Sequence, residues 1–512
     1  MTDSPPPYNP MTDSPEKTLV DFTDMDVDPL PAGCGSENFT GSFPPEVWVM
    51  ILDSPALVDR ETMCRIALTS WSLNRIITPL LWKHVILQRP RVFSFASPPG
   101  SRRSRYLVHR ASACARAIKK SNALAACVES FTLKSWFLKE CGRDSADFEV
   151  VQEMNHAFDH LISAVLRCPN LRELELYDVQ IPPRLHRALY HLHSLRYLSL
   201  SGCTLACRHE TCAMNPSRLP ITQLKLKNTT QSVHGYNHHF NTIRALGQAS
   251  NLKTLTVDGS IFPQIMDMYI TCGIPSTLTT LHAATNGSDD DSALFVTFAG
   301  ISDNPLRNLS MREDRDAREV LWTDLAPTAL PHLKSVAGGT KLIMRLMEGR
   351  GGLESVTLYE MSHPTSIKRL LEEDRGTLKR LSYPTPILQR SEVAIIAAAL
   401  PGLEDLSIEY IRLGSDFWAE DGIPVVKPFP KLRTITIMNQ KLSALGLQHE
   451  QDMPPRMLEE AGPLAWEAVC PDLHRITLTQ NSSWRRMVPR LWAREVLADE
   501  EWRDEGKRRD SI

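Results

Sequence analysis

The stretch "CPNLRELEL", Cys168–Leu176, decides how this chain is read. Its core is a frame of the form L-x-x-L-x-L, starting at Leu171. The same frame, with apolar substitutes, starts again at Leu195 ("LRYLSL"), Ile221 ("ITQLKL"), Leu252 ("LKTLTV"), Leu278, Leu306, Leu333, Leu353, Leu378, Leu403, Leu432 and Leu473, and once earlier at Val128 ("VESFTL"). The steps between starts are 43, 24, 26, 31, 26, 28, 27, 20, 25, 25, 29 and 41 residues. All but the first and last lie between 20 and 31. Phrases such as "LPHL" (Leu330), "LPGL" (Leu400), "FPKL" (Phe429) and "CPDL" (Cys470) precede the frame, so that a proline ends the preceding helix and the next Leu begins a strand. Each unit predicts one short strand with its fourth and sixth positions inward, then a return helix or loop. One unit cannot bury its apolar side; stacked neighbours can. The expected fold class is α/β, as a repeat solenoid.

This pattern resembles irregular leucine-rich repeats, without a regular Asn at the ninth position. The resemblance implies a horseshoe-shaped array over residues 128–485. Alternation along each strand places the third, fifth and seventh positions on its concave side. There Glu173, Glu175, Asp258, Asp405 and Glu409 oppose Lys225, Lys227, Arg312, Arg380 and Arg475. With no single-sign groove, a nucleic-acid ligand is disfavoured. The signs are segregated along the array, acidic with Tyr177 first, then basic, then acidic after Leu403. That suits a protein surface with matching patches. The candidate partner-binding residues are Glu173, Glu175, Tyr177, Lys225 and Lys227. The Ser and Thr residues at other concave positions follow from strand preference alone.

Upstream, "FPPEVWVMIL" (Phe43–Leu52) places two prolines at the first turn of a helix that is apolar all round. "DRETMCRIALTS" adds a second helix, with Met63, Ile66 and Ala67 at helical spacing. "WSLNRIITPLLWKHVIL" adds a third, stopped at Pro79 and followed by a tight "LLW" segment. Three short helices make a poor core alone. Residues 43–87 resemble an F-box: Pro44, Pro45, Glu46, Val47, Ile51, Leu52, Ala67, Leu68, Pro79, Leu80, Leu81, Trp82 and Val85 stand where that family has their like. The whole chain is then similar to fungal F-box proteins carrying leucine-rich repeats. The resemblance implies that Val47, Ile51 and Leu52 contact a Skp-type adaptor, with Pro44 and Pro45 fixing the helix start. It also implies a cullin ligase core beyond the adaptor, and repeats that hold an unidentified protein substrate. The chain would be the recognition subunit of an SCF-type ubiquitin ligase and no enzyme itself. The alternative is a non-ligase interaction scaffold with a vestigial F-box.

The remaining segments set boundaries. Residues 1–42 are acidic and Pro-rich and are expected to be disordered. "PPPY" (Pro5–Tyr8) fits the PPxY ligand of a WW-domain protein, although a solvated tail is the simpler account. Residues 88–127 are a basic linker and helix. Leu107, Ala111, Cys114, Ala115 and Ile118 share one helical face, and the later charges cover the other. Residues 486–512 are read as a C-terminal cap and charged tail. "CTLACRHETC" offers Cys203, Cys207, His209 and Cys212 to a metal, but the spacing is not that of a finger or ribbon, so a free-thiol loop is expected. "HGYNHH" (His234–His239) and "NGSDDDS" (Asn286–Ser292) are expected to be a polar loop and a solvated turn. Cys64 and Cys470 are expected in the core. No phosphate loop, nucleophile elbow or zincin motif is present, and no cofactor or metal is expected. Net charge is -3 over 512 residues, with a sequence pI near 6.6. No apolar run reaches the roughly 18–20 residues of a membrane span. Scattered cysteines and the lack of a signal-like start point to the cytoplasm, the nucleus or both.

Overall fold

The leucines of the frame stand in line. In a computed structural model of the chain, Leu174 pairs with Leu198, Leu198 with Leu224, Leu224 with Leu255, Leu255 with Leu281 and Leu281 with Leu309. The row continues through Val336, Val356, Leu381, Leu406, Ile435 and Ile476. Every one is the fourth residue of its frame, and every one is buried. The structure describes residues 45–52, 59–88, 102–136, 148–205, 219–231, 240–313, 322, 324–348, 351–361, 364–373, 376–414, 429–439, 467, 470–479, 482–488 and 491–496. Contacts divide the chain into two units, Met1–Val128 with Lys139–Cys168, and Glu129–Leu138 with Pro169–Ile512.

The first unit is mainly helical: α1 (Pro45–Leu52), α2 (Arg60–Ala67), α3 (Trp71–Lys83), strand β1 (His84–Gln88), α4 (Arg102–Lys120), α5 (Asn122–Cys127) and α6 (Phe148–Val165). Asp59 caps α2 by accepting from the Thr62 N–H at 2.7 Å. Ser70 caps α3 by accepting from that of Leu73 at 3.2 Å. A small core of Leu52, Ala67 and Ile77 joins the first three helices, with Trp48, Met63, Ile66, Leu73, Ile76, Leu80 and Leu81 packed around it. Pro79 does not stop α3, which continues to Lys83. Pro79 and Arg75 are both exposed, so water can satisfy the carbonyl left without a helical donor. In α4, Val108, Ala111, Ala115 and Ile118 are buried on one face. That helix packs on α6: Lys119 Nζ lies 3.3 Å from His160 Nδ1, and Arg167 donates to the Lys119 carbonyl at 2.6 Å. The 43-residue first step of the repeat is long because α6 is inserted in it and belongs to this helical unit.

The second unit is mixed α/β, built on a mostly parallel sheet that does not close into a barrel. Its strands are β2 (Ser130–Lys134), β3 (Glu173–Tyr177), β5 (Tyr197–Ser201), β7 (Gln223–Lys227), β9 (Thr254–Val257), β10 (Thr280–Thr285), β11 (Asn308–Glu313), β12 (Ser335–Gly338), β13 (Ser355–Leu358), β14 (Arg380–Leu388), β15 (Asp405–Leu413), β16 (Thr434–Asn439) and β17 (Arg475–Thr479), side by side in that order. Short strands β4 (Gln180–Ile181), β6 (Thr204–Leu205) and β8 (Thr230–Gln231) form a second parallel sheet. The connections carry α7 (Pro183–Leu189), α8 (Phe240–Gly247), α9 (Phe262–Cys272), α10 (Asp289–Ala299), α11 (Thr340–Met347), α12 (Pro364–Glu373) and α13 (Arg390–Ala399). Between α9 and α10 the core is aromatic. Tyr269 lies against Phe298 at 5.9 Å between ring centroids, and Phe295 meets Trp322 edge-on at 5.4 Å. The Tyr269 hydroxyl donates to the Gly247 carbonyl at 3.0 Å, so its burial leaves no orphan donor.

Two backbone devices hold the register. The second-position N–H of each frame donates to the second-position carbonyl one repeat earlier, at every step from Arg172 to His474. Beyond the early strands, the eighth position turns left-handed: Ser135 at φ 62°, Asp178 at 50°, Gly202 at 64° and Asn228 at 44°. The N–H groups of Ser135, Asp178 and Gly202 each bond the seventh-position carbonyl of the next repeat. At the ninth position, Cys203 donates to the Leu176 carbonyl at 3.2 Å and Thr229 to that of Leu200 at 3.2 Å. Side chains other than Asn thus satisfy the sixth-position carbonyl of the preceding repeat.

Two segments here differ from the sequence expectation, and a third is more buried than a loop implies. Asn286–Ser292 is not a simple turn but the start of α10. Ser288 caps it by accepting from the Asp291 N–H at 3.1 Å, and Asp291 reaches back to the Asn286 N–H at 3.1 Å. Cys203 is a free thiol in the link between β5 and β6, as expected, but it is wholly buried there, and burial pushes its thiol up to about 11. After β17 the sheet ends in an antiparallel pair, β18 (Ser482–Val488) and β19 (Leu491–Val496). The parallel repeats therefore stop at Thr479, and the change of strand direction falls earlier than residue 486.

Candidate interaction surfaces

α1 begins at Pro45, whose missing N–H costs nothing there, and Glu46 complements the positive end of the helix. Only part of the expected contact face points outward. Leu52 is 2 % exposed and belongs to the helical core, so it ties α1 to its neighbours rather than offering a side chain to a partner. Val47 and Ile51 are half-buried. The outward apolar residues of α1 are Val49 and Met50, at 40 % and 74 %. Leu68, just after α2, and Trp71, at the start of α3, are exposed as well. The Arg75 guanidinium sits 4.8 Å over the Trp71 ring, which leaves most of that ring accessible. A unit with so small a core that also leaves Met, Val, Leu and Trp in water has apolar surface to cover. Helical spacing could not say which side of α1 faces inward, because every side of it is apolar. Pro44 lies outside the described residues.

In the second unit the candidate strand residues fall together on one face. Glu175, Ser199 and Lys225 share one register row, and Tyr177, Ser201 and Lys227 the next. Glu175 accepts from Thr132 Oγ1 at 3.4 Å and from the Tyr177 hydroxyl at 3.3 Å. Burial, then the Glu175 charge, pushes the Tyr177 hydroxyl well above its ordinary range, so it stays a neutral donor. The Lys134 ammonium lies 5.3 Å from the Tyr177 ring centroid. Burial and the charge of Lys225 pull the Lys227 ammonium down to about 8; Asp258 opposes this and Arg312 adds to it. Asp258 is already engaged in its own turn, accepting from the Asn228 N–H and from the Ser260 hydroxyl at 2.7 Å. Among the described residues no carboxylate lies within ion-pair distance of Lys225 or Lys227.

Further along, the opposed charges neutralise each other. Arg380 and Asp405 are register partners, 4.0 Å apart, so the acidic character expected after Leu403 is offset in part at its first residue. A second charged row is also written in the sequence. The second frame positions of the later repeats are Lys334, Glu354, Lys379, Glu404 and Arg433. Glu354 bonds Lys334 at 2.9 Å and Lys379 at 3.4 Å, and Glu404 lies 3.6 Å from Arg433. Hydrogen bonds from Lys334 and then Lys379 hold the Glu354 carboxyl below its ordinary range. Glu354, Lys379 and Glu404 line a shallow depression with Gly352, Gly376 and Lys431. Within it Glu354 pairs with Lys379, and Glu404 lies near Arg433 at its side.

Among the described residues no group of three or more His, Cys, Asp or Glu is placed to hold a metal ion, and no helix is long and apolar enough to cross a membrane. Cys64 and Cys470 are buried, as their apolar contexts suggest. Pro5–Tyr8, Cys207, His209, Cys212 and His234–His239 lie outside the described residues. No family model matches the chain, and no curated protein matches it.

Proposed function

We propose that the chain is an F-box protein with an irregular leucine-rich-repeat horseshoe, acting as the substrate-recognition subunit of an SCF-type cullin–RING ubiquitin ligase. The helices of residues 43–87 dock a Skp-type adaptor, and the strand face of the repeats holds a protein target. The chain performs no chemistry. It keeps the target beside a ubiquitin-charged enzyme, and the rate gain comes from effective concentration and orientation.

The observation that carries this reading is the division of labour within the first three helices. Leu52, Ala67 and Ile77 are used up inside, while Val49, Met50, Leu68 and Trp71 remain in water. The F-box-like sequence supplies the identity of what would cover them. The unbroken ladder of buried fourth positions supports the repeat half of the reading. Co-expression with a Skp-type adaptor is expected to give a soluble complex. Val49→Asp with Met50→Asp, which spares the helical core, is expected to abolish it, because each charge would be buried unpaired at a cost of roughly 2 kcal/mol or more. A wild-type chain that stays monomeric and ignores the adaptor would leave the non-ligase scaffold as the better account.

A further inference from the structure

The strand face at β3, β5 and β7 is built as a trough between opposite charges. On one side stand Glu173 and Glu175, on the other Lys225 and Lys227. The strand between them carries Tyr197, Ser199 and Ser201 at the third, fifth and seventh positions; Tyr197 and Ser201 are half-buried and Ser199 is wholly buried. Neighbouring strands lie about 4.8 Å apart, so the two charged rows are about 10 Å apart at the backbone. The carboxylates and ammonium groups do not pair across it. Glu175 receives only hydroxyl donors, from Thr132 and Tyr177. Elsewhere on the same face Arg380 and Asp405 do pair, one strand apart. The difference is the extra strand between them.

We propose that this trough takes an extended segment of a partner protein that presents a cationic side chain to Glu173 and Glu175 and an anionic group, two to four residues away, to Lys225 and Lys227. This rests on the reading of the repeats as a protein-binding array. The spacing follows from geometry. An extended chain advances about 3.3 Å per residue, so a span of about 10 Å is about three residues, and side-chain reach adds one either way. The sign pattern excludes a polyanion along the whole trough, because Glu173 and Glu175 would repel it. The anion is a carboxylate or a phosphate, either of which meets two ammonium groups. Lys227 gains more from it than a solvated lysine would, because its charge is already held partly out of water.

The test uses the full-length chain and a set of fluorescent twelve-residue peptides in a Gly/Ser background. Each carries one Arg and one Glu at separations of two, three, four or eight, in both orders. Matched peptides replace the Arg by Ser, the Glu by Ser, or the Glu by phosphoserine. The best Arg/Glu peptide is expected at a separation of two to four, binding about tenfold tighter than either singly charged peptide, a gap of about 1.4 kcal/mol. Lys225→Gln with Lys227→Gln should no longer distinguish it from the peptide lacking Glu. Glu173→Gln with Glu175→Gln should no longer distinguish it from the peptide lacking Arg. If either variant fails to fold, the other decides. Tighter binding of the phosphoserine peptide assigns the anion as phosphate, and equal or weaker binding assigns it as carboxylate. Three results overturn the proposal: equal binding at a separation of eight, unchanged discrimination in the variants, or tight binding of an oligo-dT strand lost on removing the lysines. Adaptor capture is measured on the same preparation. Failure of the peptides with adaptor capture intact counts against the trough alone; failure of both counts against the functional reading as well.

Discussion

Glu392 is a buried carboxyl whose titration makes folding depend on pH. It stands in the first turn of α13 and is 2 % exposed, with Thr385 donating to it at 3.4 Å. Burial pushes its carboxyl from the ordinary 4.5 up to about 7. The folded chain therefore keeps this proton to a higher pH than the unfolded chain does. Stability from this group is full below about pH 4.5, falls between 4.5 and 7, and is level above 7. The total loss is about 3 kcal/mol. Glu392→Gln is expected to flatten that decline, measured by urea unfolding from pH 4.5 to 8; an unchanged slope would show that another group sets it. Gly202 is a second sensitive position. Its φ is +64°, and an added Cβ would clash with Asp178 Oδ1. Gly202→Ala is expected to cost about 1–2 kcal/mol for the left-handed backbone alone, with the contact adding to it. A thermal melt indistinguishable from wild type would contradict the register assigned to that turn.

At the scale of elements, the frame separates two kinds of strand residue. Leu255, in the middle of the ladder, is expected to cost about 2–5 kcal/mol when cut to Ala. Thr256 beside it faces the other way and should cost less than about 0.5 kcal/mol when cut to Ala. Equal losses in an unfolding titration would mean that the faces are misassigned. This alternation was legible in the sequence, because a period of two together with a leucine at fixed offsets leaves one solution. The face carrying Glu173, Glu175, Tyr177, Lys225 and Lys227 was legible for the same reason. Other features were not. The left-handed eighth position is held by Ser, Asp, Gly and Asn, all tolerant of that backbone but none distinctive alone. Helix α6 breaks the repeat without breaking its frame, so only tertiary contact reveals that it belongs with the helices. The end of α3 is not legible from the sequence, because proline usually stops a helix and only the exposure of Pro79 and Arg75 lets this one continue. That Leu52 faces the helical core is not legible from the sequence, because the residues of α1 after Glu46 are all apolar and offer no asymmetry from which to choose.

At the scale of the molecule, two units with different chemistry share one chain. The helical unit has more apolar surface than its own core absorbs, and the repeat unit has a face on which opposite charges stand in separate rows. The first suits a stable, dry contact; the second suits a selective one whose on-rate depends on salt. A recognition subunit needs both, one for its constant partner and one for its variable target. The most direct measurement is hydrogen exchange on the full-length chain with and without a purified Skp-type adaptor. The account predicts slowed exchange in Pro45–Leu52 and in the Leu68–Leu73 segment, with the strands from Glu173 to Lys227 unchanged. Slowing confined to the strand face, or no slowing anywhere at saturating adaptor, would contradict it.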